Sequence, residues 1–179
     1  MGLDMFRAAM IEVPLAVTNL QISLFLHITA VMVGFGATFA EAIMFPVAMK
    51  AGVRHLPYVH RLQLAINQWL ATPALVVVLA TGLYQVDELN LSLGDFWLSG
   101  TLTIVIVIGA ILGAYFIPTD KRLGPMVAGE IAALGDREIK LSDLSQEYQR
   151  RGRMEGIVGT IAGILLIAAV YLMVVKPGA

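Results

Sequence analysis

The stretch VPLAVTNLQISLFLHITAVMVGFGATFA, residues 13–40, decides the fold of this chain. It contains no Asp, Glu, Lys or Arg, and it is longer than the ~20 apolar residues that a helix needs to cross a bilayer. Its one titratable side chain is His27. An ionisable group in lipid is costly and persists mainly where it faces the interior of a helix bundle. His27 is therefore the first candidate for a functional site.

Small and polar residues share the helix face of His27. Residues spaced three or four apart lie on one side of a helix, so this side is predicted to face the other helices. The set comprises Ser23, His27, Ala30, Gly34, Thr38 and Glu41.

Composition predicts a polytopic membrane protein. Hydrophobic residues make up 58% of the chain and charged residues only 14%, whereas a soluble domain carries roughly 25% charged residues. Four segments are long and apolar enough to cross a bilayer. They lie at about 16–49, 63–85, 96–117 and 156–175.

The sequence thus predicts an all-α, four-transmembrane-helix bundle in residues 15–179. A short interfacial helix is expected on the outer membrane surface in residues 1–14. Residues 119–152 are expected to form a cytoplasmic helical loop, in which Leu141-Ser142-Asp143 indicates a helix start capped by Ser142.

Charge orients the bundle. The connection between the second and third spans carries only acids, whereas the other two connections carry ten of the twelve basic residues. The positive-inside rule then places both termini outside and the basic loops in the cytoplasm of a bacterial inner membrane. The lipid bilayer is the expected partner, and no nucleic acid is expected. The absence of cysteine excludes a thiolate metal site.

Depth along the helices limits the partners of His27. At about 1.5 Å per residue, its level falls near 79–81 of the second span, 101–103 of the third and Tyr171 of the fourth, with Tyr84 and Met173 about one turn further out. His55 and His60 lie roughly 25 Å or more away along the membrane normal, which excludes a bis-histidine site within one chain.

Four interpretations of His27 stay open. In the first, it is the axial ligand of a b-type haem between the helices, with Arg7 and Lys176 facing the propionates. In the second, it binds copper together with thioethers of Met173, Met5 and Met10. In the third, it carries protons with Glu41. In the fourth, it is a neutral histidine that bonds Thr101, Thr103 or Tyr171 for packing alone, and no cofactor is present.

The other intramembrane polar residues have structural interpretations. Glu41 is predicted to pair with Arg61 or Arg153, and Glu155 with Arg151 or Arg153. The spacing of Gly109 with Gly113, and of Gly159 with Gly163, allows close helix approach. Such close helix contacts could form within the bundle. They could also form an interface in a homo-oligomer, or in a larger membrane complex in which this chain is a non-catalytic subunit.

Short motifs in all four spans resemble those of the HemJ-type bacterial protoporphyrinogen oxidases. Related groups include the copper-resistance CopD-type domains and uncharacterised four-span bacterial membrane proteins, to which the chain is most similar. The resemblance implies a four-helix bundle with haem on His27. The motifs are Leu26-His27-Ile28, Arg61 with Thr72-Pro73 and Gly82-Leu83, Phe96-Trp97-Leu98, and Tyr171 to Pro177.

Two departures from that pattern argue against oxidase activity. In the resembling enzymes, a lysine tied to haem function follows the third-helix tryptophan by four residues, and here that position is Thr101. The aromatic, proline and arginine of their first helix are replaced by Gly34, Ala42 and Ile43. The residues show no nucleophile–base pair and no phosphate loop, so they give no case for a hydrolase or transferase.

Overall fold

The protein is described by a computed structural model that covers residues 17–178. Within that range it contains helices and turns but no strand. Four helices are long and apolar enough to cross a membrane, which confirms the predicted all-α polytopic class. They are α1 (Asn19–Ala51), α2 (Val53–Glu88), α3 (Phe96–Leu134) and α4 (Gln146–Val175). The interfacial helix expected at 1–14, with Arg7, lies outside the described residues.

The two middle helices are not uniform. α2 consists of a 3-10 turn (Val53–His55), an α-helical part (Leu56–Ile66), a π-helical turn (Asn67–Ala71) and a second α-helical part (Thr72–Glu88). α3 likewise has a π-helical turn (Leu112–Phe116) between Phe96–Ile111 and Ile117–Leu134. A short 3-10 turn, Leu141–Asp143, precedes α4.

Each π-helical turn ends two residues before a proline, Pro73 in α2 and Pro118 in α3. Proline has no N–H and its ring clashes with the carbonyl one turn earlier, and a wider turn relieves that clash. In α2 the hydroxyl of Thr72 donates to the carbonyl of Asn67 at 2.7 Å, which satisfies one of the carbonyl groups in the turn.

Local sequence explains where the outer two helices begin and end. α1 starts with a capping box, because Thr18 and Gln21 each accept a hydrogen bond from the backbone N–H of the other. It ends at Gly52, whose φ of +116° is strained for residues with a side chain. α4 starts at Ser145, whose hydroxyl accepts from the N–H of Tyr148, so the predicted cap at Ser142 is wrong.

We call the end of the bundle with Asp87, Glu88 and Asp95 the acidic end, and the opposite end, with Lys50, Arg54 and Arg137, the basic end. α1 packs mainly along the acidic-end half of α2, and the acidic-end half of α3 packs along α4. At the basic end, the first part of α2 packs against the last part of α3.

The tightest apolar core lies at the basic end rather than midway along the helices. Most large apolar side chains elsewhere on the four helices point outward, as expected for helices surrounded by lipid, and Trp97, Leu98 and Leu112 of α3 are the buried exceptions among the described residues. The core consists of Ala48, Val53, Leu56, Val59, Leu123, Val127, Ile131, Ile139, Leu144 and Tyr148. α2, α3 and α4 therefore extend beyond the predicted spans and pack together there.

Candidate functional site

The predicted polar stripe of α1 does face the bundle. Ser23 and Ala30 are buried, and His27, Gly34, Thr38 and Glu41 are half-buried, whereas the flanking Met32, Ile28 and Ile43 are well exposed. The stripe leads from His27 near the acidic end to Glu41 near the basic end. The structure consequently has two separate polar sites, one around each of these residues.

The partner of His27 is Thr81 of α2, with 2.9 Å between Nδ1 and Oγ1. The Thr81 hydroxyl has one proton, and its shortest contact is 2.6 Å to the carbonyl oxygen of Val77. Thr81 therefore donates to Val77 and accepts from His27 Nδ1–H. This assignment gives Nε2 of His27 the free lone pair, and the backbone of Val78 is a further hydrogen-bond partner of the ring.

Small and polar groups surround the imidazole on the α2 side. Its Cε1 packs closely against Gly82, where a built Cβ would lie 3.4 Å away. One turn towards the acidic end, Ser23 donates to the carbonyl of Thr81 and accepts from the Gln85 amide at 3.1 Å. The ring is thus held in one orientation by α2.

A shallow groove runs beside this site between α1 and α2. Its volume is about 320 Å³, which is at the lower end of the roughly 300–1,000 Å³ of ligand pockets. It is mostly apolar and open to the lipid-facing surface. Its lining residues are Asn19, Ile22, Ser23, Leu26, Ala80, Thr81 and Tyr84.

The other residues predicted near His27 have different neighbours. Thr101 is buried and its hydroxyl donates to the carbonyl of Trp97 in its own helix at 2.7 Å. Tyr171 is exposed, and Met173 is half-buried on α4. The ammonium of Lys176 lies 5.0 Å from the centre of the Trp97 ring, a cation–π contact. None of these four hydrogen-bonds to His27 among the described residues, and Thr103 donates to the carbonyl of Ser99, so the predicted partners Thr101, Thr103 and Tyr171 are wrong.

The second site is a buried polar centre at the basic end. His60 of α2 is 1% exposed and contacts two other helices: Nδ1 lies 3.2 Å from Asp120 Oδ1, and Nε2 lies 2.9 Å from the Tyr148 hydroxyl. Asn67, in the π-helical turn, donates to the other oxygen of Asp120 at 3.3 Å. Glu155 is buried beside them, with donor atoms of His60, Asp120 and Glu155 all within 4.8 Å of one another.

This centre has more carboxylates than cations. One oxygen of Glu155 and one of Glu41 are buried without a hydrogen-bond partner among the described residues. The structure gives neither residue its predicted arginine: Arg151 pairs with Glu147 at 2.8 Å, and Arg61 is exposed. The described part of the chain therefore places no arginine or lysine within 4 Å of these buried acids.

The sequence analysis does not include Asp120 or Tyr148 in a site, because it ends the third span at residue 117 and assigns residues 119–152 to a cytoplasmic helical loop. A helical signal was present, since Asp120, Leu123, Val127 and Ile131 are spaced three and four apart, and all four are buried on one face of α3. Extending α3 past residue 117 brings Asp120 level with His60. A polar residue within such an apolar stripe indicates a group that faces the other helices and has a partner there, as His27 does in α1.

Comparison with known proteins identifies a family for this chain. The model of the family described as "Predicted integral membrane protein (DUF2269)" matches residues 21–177, which include all four helices and both polar sites. Neither the curated proteins nor the solved structures contain a significant match.

Proposed function

We propose that this chain, which belongs to the DUF2269 family of predicted integral membrane proteins, holds a b-type haem through His27 in the bacterial inner membrane. Its role would be redox chemistry or assistance to a redox partner. The observation that carries this proposal is the free Nε2 of His27, with Nδ1–H fixed on Thr81.

His27 differs from the other two histidines in which of its ring nitrogens have hydrogen-bond partners. An axial ligand needs one nitrogen for iron, and its other N–H is normally held by a hydrogen bond that sets the ring orientation. His60 has both nitrogens engaged, by Asp120 and Tyr148. His55 is exposed in the short turn at the basic end. Only His27 combines a membrane-embedded position, one held nitrogen and one free nitrogen.

The surroundings of His27 suit a flat apolar ligand. The neighbouring groove is mostly apolar, and the imidazole itself packs directly against Gly82. Since the groove is shallow and open, the haem would lie partly against lipid or a second protein. Lys176 and Arg7 are the proposed partners of the propionates. When bound, haem would supply one-electron transfer, whereas the protein fixes the ligand and shields it from water.

The resemblance to HemJ-type oxidases and CopD-type domains supports the binding of haem or copper by His27. It does not support the oxidase reaction. Thr101 stands at the lysine position and satisfies its hydroxyl on its own helix. The acidic end, with His27, is proposed to face the outside, because the basic residues gather at the other end.

The visible spectrum tests this proposal. The full chain is expressed with sufficient haem and purified in mild detergent, beside His27→Ala and the matched control His55→Ala. We expect a Soret band in the wild type and in His55→Ala, and its loss in His27→Ala. Absence of the band from the wild type would rule out haem. A band unchanged in His27→Ala would remove His27 as the ligand, and one equivalent of bound copper without a Soret band would favour the copper alternative.

A second candidate is a non-catalytic subunit of a larger membrane complex. Gly36, Gly113 and Gly163 have no atom within 4 Å of a built Cβ, so these faces are open to another helix. Chemical crosslinking in native membranes tests this candidate. A defined partner or a second copy of the chain crosslinked at these faces would support it, and a chain that stays monomeric would contradict it.

A further inference from the structure

We propose that the buried polar centre binds one divalent transition-metal ion, of the Zn²⁺ or Fe²⁺ class, between α2, α3 and α4. The ligands are Nδ1 of His60, one oxygen of Asp120 and the unpartnered oxygen of Glu155. This site is separate from His27 and does not depend on haem.

The first argument is geometric. Three helices bring an imidazole and two carboxylates together, with the donor atoms within 4.8 Å of one another. Two atoms that bind one ion at about 2.2 Å each lie no more than about 4.4 Å apart. Around a tetrahedral ion the ligand atoms lie about 3.5 Å apart, so side-chain movements of up to about 1 Å bring the three groups onto one ion. Helix bundles commonly build metal sites from Glu and His on facing helices.

The second argument is the unpartnered oxygen. Glu155 is 8% exposed, and its Oε1 has no hydrogen-bond partner among the described residues, while one oxygen of its carboxyl group lies within 4.8 Å of ligand atoms of His60 and Asp120. A buried carboxylate without a partner is expensive. A divalent ion would satisfy this oxygen, and its two positive charges would balance the charges of Asp120 and Glu155.

The third argument concerns the residues around the ligands. With Nδ1 on the ion, Nε2–H of His60 can donate to the Tyr148 oxygen, which lies at 2.9 Å. The Asn67 amide already holds the second oxygen of Asp120. Metal-bound imidazoles and carboxylates usually have such outer partners, which fix their orientation.

Two further features fit an ion site at this position. Glu41 of α1 also has a buried, unpartnered oxygen, and it lies near enough to Asp120 and Glu155 for their charges to interact. Asn67 belongs to a π-helical turn, a distortion that occurs frequently at functional sites.

The donor set indicates the kind of ion. Imidazole favours Zn²⁺ and Fe²⁺, whereas Mg²⁺ and Ca²⁺ prefer oxygen ligands only. Zn²⁺ is the appropriate probe because it has no redox chemistry. The chain has three histidines and no cysteine, so few other groups compete for it.

The test is a calorimetric zinc titration of the full chain in detergent, after chelator treatment and removal of any affinity tag. We expect one Zn²⁺ per wild-type chain and no comparable binding of Mg²⁺. Glu155→Gln and Asp120→Asn should each bind zinc at least about 100-fold more weakly, because loss of a direct ligand exceeds the 10–100-fold effect of an outer partner. Tyr148→Phe removes only an outer partner, so its zinc affinity should be about 10–100-fold below that of the wild type.

Two controls isolate the centre. Glu147 lies on the same helix as Glu155, but its carboxylate is exposed and pairs with Arg151, so Glu147→Gln is one control. His27→Ala, which removes the histidine of the other polar site, is the second. Both should bind zinc as the wild type does. The two ligand variants lie on different helices, so the comparison uses whichever retains the wild-type circular dichroism.

A second measurement needs no ligand variant. Zinc, but not magnesium, should raise the unfolding temperature of the wild type and of Glu147→Gln. The proposal is overturned if the wild type takes up no stoichiometric zinc, or if a folded Glu155→Gln or Asp120→Asn binds it with wild-type affinity. If the wild type takes up no zinc and Glu155→Gln is more stable than the wild type, Asp120 and Glu155 are instead a carboxyl pair that shares a proton.

Discussion

His60 and Asp120 join α2 to α3 through a contact of 3.2 Å between Nδ1 and Oδ1, with both side chains almost completely removed from solvent. The residues are sixty positions apart in the chain. Their contact lies beside the apolar core that closes the basic end. Loss of one partner from such a buried pair is more damaging than the modest net stabilisation of the intact pair suggests.

Replacement of Asp120 tests how far this end depends on the pair. Asp120→Ala leaves His60 and Asn67 without their acceptor, so the free energy of unfolding should fall by about 3–5 kcal/mol. Asp136→Ala, at an exposed acid in the following turn, should change it by less than about 0.5 kcal/mol. Denaturant unfolding in mixed micelles measures both. Equal stability of the two variants would contradict a structural role for the pair.

The hydroxyl of Tyr148 can be tested in the same way. Tyr148→Phe removes the group that contacts His60 Nε2 and leaves that nitrogen buried without a partner, which should reduce the free energy of unfolding by about 1–3 kcal/mol. Tyr171 is 58% exposed, so Tyr171→Phe should have little effect. A neutral Tyr148→Phe would mean that the nitrogen finds another partner.

Helix packing predicts opposite effects at two glycines of α3. A Cβ at Gly109 would lie 2.9 Å from Leu75 Cδ2, whereas a Cβ at Gly113 would meet nothing within 4 Å. Gly109→Ala should lower the free energy of unfolding by about 1 kcal/mol, the low end of overpacking effects, because only the end of the flexible Leu75 side chain has to move. Gly113→Ala should leave it unchanged or raise it by up to about 1 kcal/mol through helix propensity. Thermal unfolding of the two variants measures the difference. A Gly109→Ala variant that is more stable than Gly113→Ala would contradict the packing described here.

Composition was sufficient to predict the membrane class and the number of long helices, because lipid imposes long apolar segments. It did not determine where the helices end. α3 continues to Leu134 and α4 starts at Gln146, since the apolar stripe that includes Leu123 and Val127 buries against α2 outside the most apolar segments. The cap at Ser145 rather than Ser142 has the same cause, because tertiary packing decides between two adequate capping residues.

The partner of His27 was among the residues at its depth, but depth alone could not select it. Thr81, Thr101 and Tyr171 all lie near one level, and the choice depends on which helix packs against α1. The structure packs α1 along the acidic-end half of α2, which selects Thr81. For the buried polar centre, the assumption of a loop at 119–152 separated His60 from Asp120. The residues of this centre come from three different helices, so no single sequence motif contains them.

The bond between His27 and Thr81 leads to a prediction about haem retention. Thr81→Val keeps the shape of the side chain but removes the acceptor for Nδ1–H, so haem affinity should fall 10–100-fold. Thr81→Ser keeps the hydroxyl and should retain most of the affinity. Haemin titration into chains in nanodiscs measures the difference. Equal affinities of the two variants would show that this bond does not orient the ligand.

The haem content of the full chain, isolated from native membranes, tests the central claim most directly. The ratio of extracted haem to protein should be close to one for the wild type, and close to zero for His27→Ala expressed and isolated in the same way. A wild-type ratio near zero, or the same ratio in both proteins, would contradict haem binding through His27.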